Sequence, residues 1–297
     1  MKLRLGTRRS KLALAQAAEV AKSLGAKGFE AELVPMTTSG DRGADPSTDP
    51  AGVKGLFVAE IVRALRNGEV DVAVHSAKDL PAEDDEGVAI AAVPERASPL
   101  DLLVTRDGQL RPGARVGTSS LRRQAQVFRW RPDVLLKDLR GNVDTRLRKL
   151  ADGEADALVL AAAGLLRLGI VPEHVAPMSI SEMVPAPGQG CLAVQARADD
   201  ESTMSILAAI DHAPSREALT AERTLMEALG GGCALPLGAF AERVDGSMRM
   251  IAIVLTPDGG RYARAEVEAP TPEEVAELAR LDLAAGGSDE ILSSVRP

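Results

Sequence analysis

Aromatic side chains are almost missing from this chain: one Trp, one Tyr and four Phe make up 2% of its 297 residues. The core must then be built from Ala, Leu and Val, and ring stacking is excluded as the main mode of ligand binding. Cysteine is equally scarce. Cys191 and Cys233 stand alone, without CxxC spacing and with only three His in the chain, so neither a zinc site nor a disulfide framework is supported. Positive charge is short as well. A formal net charge of −8 argues against a general nucleic-acid or membrane-surface binder, although a local basic pocket remains open. No apolar run approaches the length of a membrane span, and MKLRLGTRRSKLALAQ does not read as a signal peptide, so a cytoplasmic protein is expected.

What is present is a regular alternation. KLRLGT, SKLALAQAAEVAKSLGA, EAELVPM, FVAEIVRALRNG and VDVAVHS alternate strand-like and helix-like patterns. That alternation predicts βαβ units, an α/β class and mainly parallel sheets, with binding sites beyond the carboxyl ends of the strands. The length exceeds what one core sustains, so two or three domains are expected. Two segment pairs recur in the same order: RLGT (Arg4 to Thr7) with RVGT (Arg115 to Thr118), and NGEVDVAVHSAK from Asn67 with DGEADALVLAAA from Asp152. Together they suggest two similar α/β domains. Prolines cluster at Pro94 to Pro99 and around Met183 to Gly190, the candidate crossings between them. After Pro214 a helix precedes MRMIAIVLT and RYARAEVEA, which read as antiparallel strands joined by PDGG in a third, α+β domain. Asp41 to Ala51, rich in Asp, Pro, Gly and Ser, reads as a mobile loop.

VGTSSLRRQAQVFRW carries the strongest chemical signal. Thr118, Ser119 and Ser120 are natural N-cap residues ahead of a helix whose N-terminus favours an anion. Arg122 and Arg123 fall in the first turn, where the helix dipole disfavours cations unless something negative faces them. From Arg115 to Arg148 there are eight Arg and one Lys against three Asp, in a chain that is acidic overall. Arg8 and Arg9 before the helix at Ser10, and Arg140 and Arg146 in LRGNVDTRLRKL, extend the pattern. Arg suits carboxylates because its planar fork donates two parallel hydrogen bonds. Asp79 falls just past a buried-type strand in GEVDVAVHSAKDLP, beside Ser76 and Lys78; it either faces a binding cleft or caps a turn before Pro81. His75 reads as a hydrogen-bonded structural histidine and Cys191 as core. Cys233, in ALGGGCALPLG, sits where three glycines leave the backbone open to something bulky. An arginine-lined α/β cleft also suits a binding module for a small polyanion, whereas a phosphoryl-handling enzyme lacks its GxxxxGK[ST] loop.

Taken together, RLGTRRSKLALAQ, KGLFVAEI, AVHSAKDLP, VGTSSLRRQAQ, LRGNVDTRL, AAAGLLRLG, PAPGQG and GGCALPLG closely resemble the porphobilinogen deaminase family. The resemblance implies a transferase of tetrapyrrole biosynthesis. It would join four porphobilinogen molecules head to tail on a dipyrromethane cofactor held by a thioether at Cys233, and release hydroxymethylbilane. Asp79 matches the catalytic aspartate. Arg8, Ser10, Lys78, Thr118, Ser119, Ser120, Arg122, Arg123, Arg140, Arg146, Arg167 and Gln189 match positions that bind cofactor and substrate carboxylates, and Ser76 and Lys54 match further pocket positions. The implied fold has two periplasmic-binding-protein-like domains flanking a cleft, residues 1–94 completed by 187–208 and residues 95–186, with a smaller cofactor-bearing domain at 209–297. Porphobilinogen and the growing pyrrole chain are the implied partners of a monomer, with no metal, nucleic acid or membrane. Pro50 stands near the place where family members often carry a further lysine.

Overall fold

The computed structural model describes residues 2–37, 50–83, 85–231 and 235–295, and for residues 50–57 the backbone alone. Cys233, the side chain of Lys54 and most of the loop expected at Asp41 to Ala51 lie outside the described residues; Pro50 and Ala51 already belong to a helix.

The chain opens with β1 (Lys2–Arg8), α1 (Lys11–Ala26), β2 (Glu30–Met36), α2 (Pro50–Arg66), β3 (Val72–Ser76) and, after a 3-10 turn at Ala77–Asp79, β4 (Val88–Ala92). It continues through β5 (Asp101–Thr105), β6 (Arg115–Gly117), α3 (Leu121–Trp130), β7 (Leu135–Lys137), α4 (Val143–Ala151), β8 (Ala157–Ala161), α5 (Ala162–Leu168) and β9 (Val175–Pro177). It ends with β10 (Leu192–Arg197), α6 (Glu201–Ala208), α7 (Ala213–Ala228), β11 (Leu237–Val244), β12 (Ser247–Leu255), β13 (Tyr262–Ala269), α8 (Pro272–Ala285) and α9 (Ser288–Val295).

Three sheets result. The first has the order β2-β1-β3-β10-β4 and the second β7-β6-β8-β5-β9, which is the same order once strands are matched by their place in each βαβ unit. The third is the antiparallel meander β11-β12-β13, in which Leu255 and Tyr262 pair at the ends of the hairpin. Helices form where apolar residues recur at helical spacing: Ala17, Val20 and Leu24 of α1 are fully buried against the first sheet. Central strands are buried on both faces, as in β3, where Val72 to His75 are all buried.

The expectation of mainly parallel sheets does not hold. Each five-stranded sheet has two parallel pairings (β1 with β2 and β3; β6 with β7 and β8) and two antiparallel ones (β10 with β3 and β4; β5 with β8 and β9). Alternating strand and helix patterns report the direction only of strands joined by a helix. β5 and β10 instead arrive by long crossings, through Pro94 to Pro99 and through Met183 to Gly190, and insert antiparallel.

These crossings touch each other and are pinned by the third layer. A Cβ on Gly190 (φ +91) would lie 2.4 Å from the Ala97 carbonyl, so only glycine allows the approach. Glu222 of α7 is fully buried; it accepts from Arg96 Nη1 at 2.7 Å, Gly188 N at 2.6 Å and Ala241 N at 2.8 Å. One carboxylate thereby joins both crossings to α7 and β11. A small apolar cluster of Ala125, Val184, Ile251, Ile253 and Leu255 seats β12 on the back of α3, and each large aliphatic side chain buried there contributes about 1.5–3 kcal/mol.

Candidate active site

The first sheet sends its chemistry to one end. β1 terminates at Arg8, and Ser10 caps α1 by accepting from Ala13 N at 3.2 Å. β3 terminates at Ser76, where the 3-10 turn lifts Lys78 and Asp79 out of the sheet, both half-buried. A cavity of about 210 Å³ lies there, lined by Arg8, Ser10, Gln16, His75, Ser76 and Asp79 among others. Gln16 donates to Ser76 Oγ at 2.7 Å and so fixes that hydroxyl. His75 is buried, and burial, opposed by the charge on Asp79, lowers its pKa to about 4, so the ring is neutral at physiological pH. Its buried Nε2 has no hydrogen-bond partner among the described residues.

A second cavity, about 100 Å³, shares Leu12, Gln16 and Ser76 with the first and opens between the two α/β units. Lys78, Arg123, Arg146 and Arg167 line it, and among the described residues no Asp or Glu does. Ser120 caps α3, accepting from Arg123 N, and Ser120 N in turn donates to Thr118 Oγ1 at 3.2 Å. Arg146, on α4 behind its Asn142 cap, donates through Nη2 to Ser119 Oγ at 3.1 Å, while its buried Nε has no partner among the described residues. Burial, and then the like charge of Arg123, push the Arg146 pKa down to about 10, against a smaller opposing pull from Asp138. The guanidinium stays charged at neutral pH, so its environment favours an incoming anion.

Arg167 bridges the two units, pairing with Glu19 of α1 at 2.8 Å and donating to Gly190 O at 3.1 Å. Gln189, fully buried between Gly188 and Gly190, accepts from Lys78 Nζ at 3.4 Å and donates to Pro99 O at 2.7 Å. Gly188 (φ +72) lets this segment lie against Ala77 and Lys78, because a Cβ there would sit 3.0 Å from Lys78 N. Cys191 is 1% exposed and burial pushes its thiol up to about 12, in keeping with a core residue.

Two of the expected arginines lie elsewhere. Arg122 is 4% exposed and donates to Val184 O at 2.6 Å and to Asp101 at 2.8 Å, lining neither cavity. Arg140 is exposed and pairs with Asp138 at 3.0 Å. Sequence reasoning missed Asp101, Gln16 and Glu222. Gln16 was detectable, because it is a polar side chain at the helical spacing of a buried face. Glu222 likewise falls among the core positions Ala218, Ala221 and Leu225. Asp101, at the start of an ordinary strand, carries no local signal.

Known proteins share this arrangement in sequence. The family model described as "Porphobilinogen deaminase, dipyromethane cofactor binding domain" matches residues 3–205, and "Porphobilinogen deaminase, C-terminal domain" matches residues 217–285. The chain belongs to the porphobilinogen deaminase family. A porphobilinogen deaminase of Brevibacillus brevis is 43% identical over 303 residues, covering 99% of this chain and 97% of that protein. One of Thermus thermophilus is 44% identical over 306 residues, covering 98% of each. Among solved structures, the methionine-binding protein MetQ aligns with 70% of this chain and 88% of its own at 12% identity and a TM-score of 0.44. Membership of the porphobilinogen deaminase family implies a dipyrromethane cofactor, and the cation-lined cavity fits a group bearing several carboxylates.

Proposed function

We propose that the paired cavities are the site at which porphobilinogen loses ammonia and is added, four molecules head to tail, to a pyrrole primer, with hydroxymethylbilane as product. The observation that carries this reading is the segregation of charge. A wall of Lys78, Arg123, Arg146 and Arg167, with no carboxylate among the described residues, adjoins the cavity lined by Asp79. Porphobilinogen and its oligomers are carboxylates outside and incipient cations at the ring nitrogen during reaction, and this polarity matches the site's.

In this reading Arg8, Ser10, Ser76, Lys78, Arg123, Arg146 and Arg167 take the acetate and propionate groups and hold the reacting carbons near one another. Ser119 steadies Arg146, while Thr118, Ser120 and Gln189 fix the backbone and Arg123 around it. Asp79 lies beside the ring nitrogens and stabilises positive charge as ammonia leaves; at about 4 Å and an effective dielectric of about 20 this amounts to roughly 4 kcal/mol. The same carboxylate takes the proton released after coupling. When bound, the dipyrromethane cofactor supplies the terminal pyrrole whose free carbon accepts each new ring. Cys233 is its point of attachment, supported by the family resemblance and by the open glycine run before it, and Lys54 completes the pocket. The division into residues 1–94 with 187–208, 95–186 and 209–297 is supported by the three sheets. A periplasmic-binding-protein-like arrangement of the first two parts is supported by the shared strand order. A cytoplasmic monomer rests on the resemblance, and sedimentation of the purified chain tests its oligomeric state.

Intact-protein mass tests the reading directly. The purified chain is expected to carry an adduct of two pyrrole units that blocks alkylation of Cys233, disappears in Cys233→Ser, and grows by single pyrrole units when porphobilinogen is added. A bare, alkylatable thiol together with no consumption of porphobilinogen overturns it.

A further inference from the structure

Asp101 opens β5 with no exposed surface. One oxygen accepts from Arg122 Nη2 at 2.8 Å; the other accepts from Arg123 Nε and Nη2 at 3.1 and 2.6 Å and from Gln189 Nε2 at 3.0 Å. Burial alone would raise its pKa, but the two guanidiniums outweigh burial and hold it at about 2, so the carboxylate is ionised. Two buried guanidiniums thus share one carboxylate, and the set carries a single net positive charge. Its members divide the work. Arg122 faces Asp101 and Val184 O and lines neither cavity. Arg123 lines the cation-rich cavity; with Nε and Nη2 committed, Nη1 has no partner among the described residues.

We infer that Asp101 is a positioning residue that sets how tightly the Arg123 wall grips carboxylates. It fixes the Arg123 fork at one orientation, with the amide of Gln189 and the carbonyl of Pro99 anchoring the assembly from behind. It also cancels one of two guanidinium charges. A chain that lengthens by one ring per cycle must let go of each guanidinium before the next cycle. An uncompensated pair holds it too long and a neutral pair too weakly. Arg122, though it lines neither cavity, acts on the same balance through Asp101. The inference rests on the carboxylate-binding role proposed above for Arg123.

The sign of the change in KM tests it. Asp101→Asn raises the set to two positive charges. KM for porphobilinogen is expected to fall roughly fivefold, about 1 kcal/mol, kcat to fall further, and mass spectra during turnover to shift towards enzyme carrying extra pyrroles. Arg122→Gln lowers the set to neutrality and raises KM by roughly the same factor. The double variant restores one charge, and its KM returns to within about twofold of the parent. A merely structural role predicts instead that both single variants lose binding and that the double variant is worst, which overturns the inference. Where Asp101→Asn does not fold, adding it to Arg122→Gln decides: KM must fall, and a further rise refutes the role. Arg123→Gln separates the two layers of argument. An unchanged KM there removes the role of Arg123 itself. A raised KM without opposite signs for Asp101→Asn and Arg122→Gln removes only the charge-setting role of Asp101.

Discussion

In the first sheet Arg4 donates to Asp71 through its backbone N, Nε and Nη2, and to Gly68 O; in the second Arg115 does the same to Asp156 and Gly153 O. A second arginine joins each pair from the antiparallel strand or its end, Arg197 at 3.9 Å from Asp71 and Arg106 at 3.1 Å from Asp156. Register matches too, Leu5 facing Val72 as Val116 faces Ala157. Beyond these strands the units part. After β3 a 3-10 turn presents Asp79; after β8 the chain enters α5 at once, and the place of Asp79 is taken by Gly164. Arginines inside the helices lining the shared cavity belong to the second unit: Arg123, Arg146 and Arg167. A duplicated scaffold has thus been charged asymmetrically: the second unit contributes three helix arginines to the shared cavity, and the first unit contributes Asp79 together with Arg8 and Lys78.

Removing the negative end should have the largest effect. Asp79→Asn is expected to cut turnover by about a thousandfold, the equivalent of about 4 kcal/mol, with the cofactor adduct still visible by mass. Turnover within tenfold of the parent would mean that the asymmetry serves binding only. On the opposite wall, Arg146→Gln is expected to raise KM for porphobilinogen by about tenfold with a smaller change in kcat, because it removes a half-buried cation that has no ion pair among the described residues. An unchanged KM would take Arg146 out of the anion wall.

How much of this was legible depends on where each residue lies in its element. Asp79, Arg8, Ser10 and the Ser120 cap sit at the ends of strongly patterned strands and helices, so their place at one end of a sheet followed from periodicity. The duplication followed from RLGT and RVGT, whose arginines make the same bonds. Asp101 and Glu222 were hidden because their partners are remote in the chain: Arg96 lies 126 residues from Glu222, and Gln189 lies 88 from Asp101. Strand direction was misjudged where it is set by a crossing rather than a helix. Arg122 and Arg123, adjacent and identical in type, were indistinguishable by pattern, yet only the second lines the cavity.

Gly164 allows the asymmetry to be reversed. A Cβ there would come no closer than 3.8 Å to Leu12 and Val143, ordinary contact, so a side chain fits. Gly164→Ala is expected to leave KM within about twofold of the parent. Gly164→Asp places a carboxylate at the counterpart of Asp79, inside the cation wall, and should raise KM roughly fivefold by neutralising it. Equal effects of the two substitutions would point to bulk rather than charge.

The smallest effect probes the part of the scaffold that stayed the same. Hydrogen bonds from Arg115 hold Asp156 down at about 2, and those from Arg4 lower Asp71 in the same direction. A carboxylate whose folded pKa is depressed stabilises the fold above its unfolded value of about 4, and that contribution is lost as pH falls through the folded pKa. Both arginines are substantially exposed, 39% for Arg4 and 42% for Arg115, so solvent screening keeps the contribution of each pair small. Asp71→Asn and Asp156→Asn should therefore lower Tm at pH 7 by similar small amounts, and each difference from the parent should close as the pH approaches 2. Thermal melts across that range check the equivalence. A loss confined to one variant would show that the matching ion pairs no longer do matching work, and that the two units have diverged in their supports as well as in their chemistry.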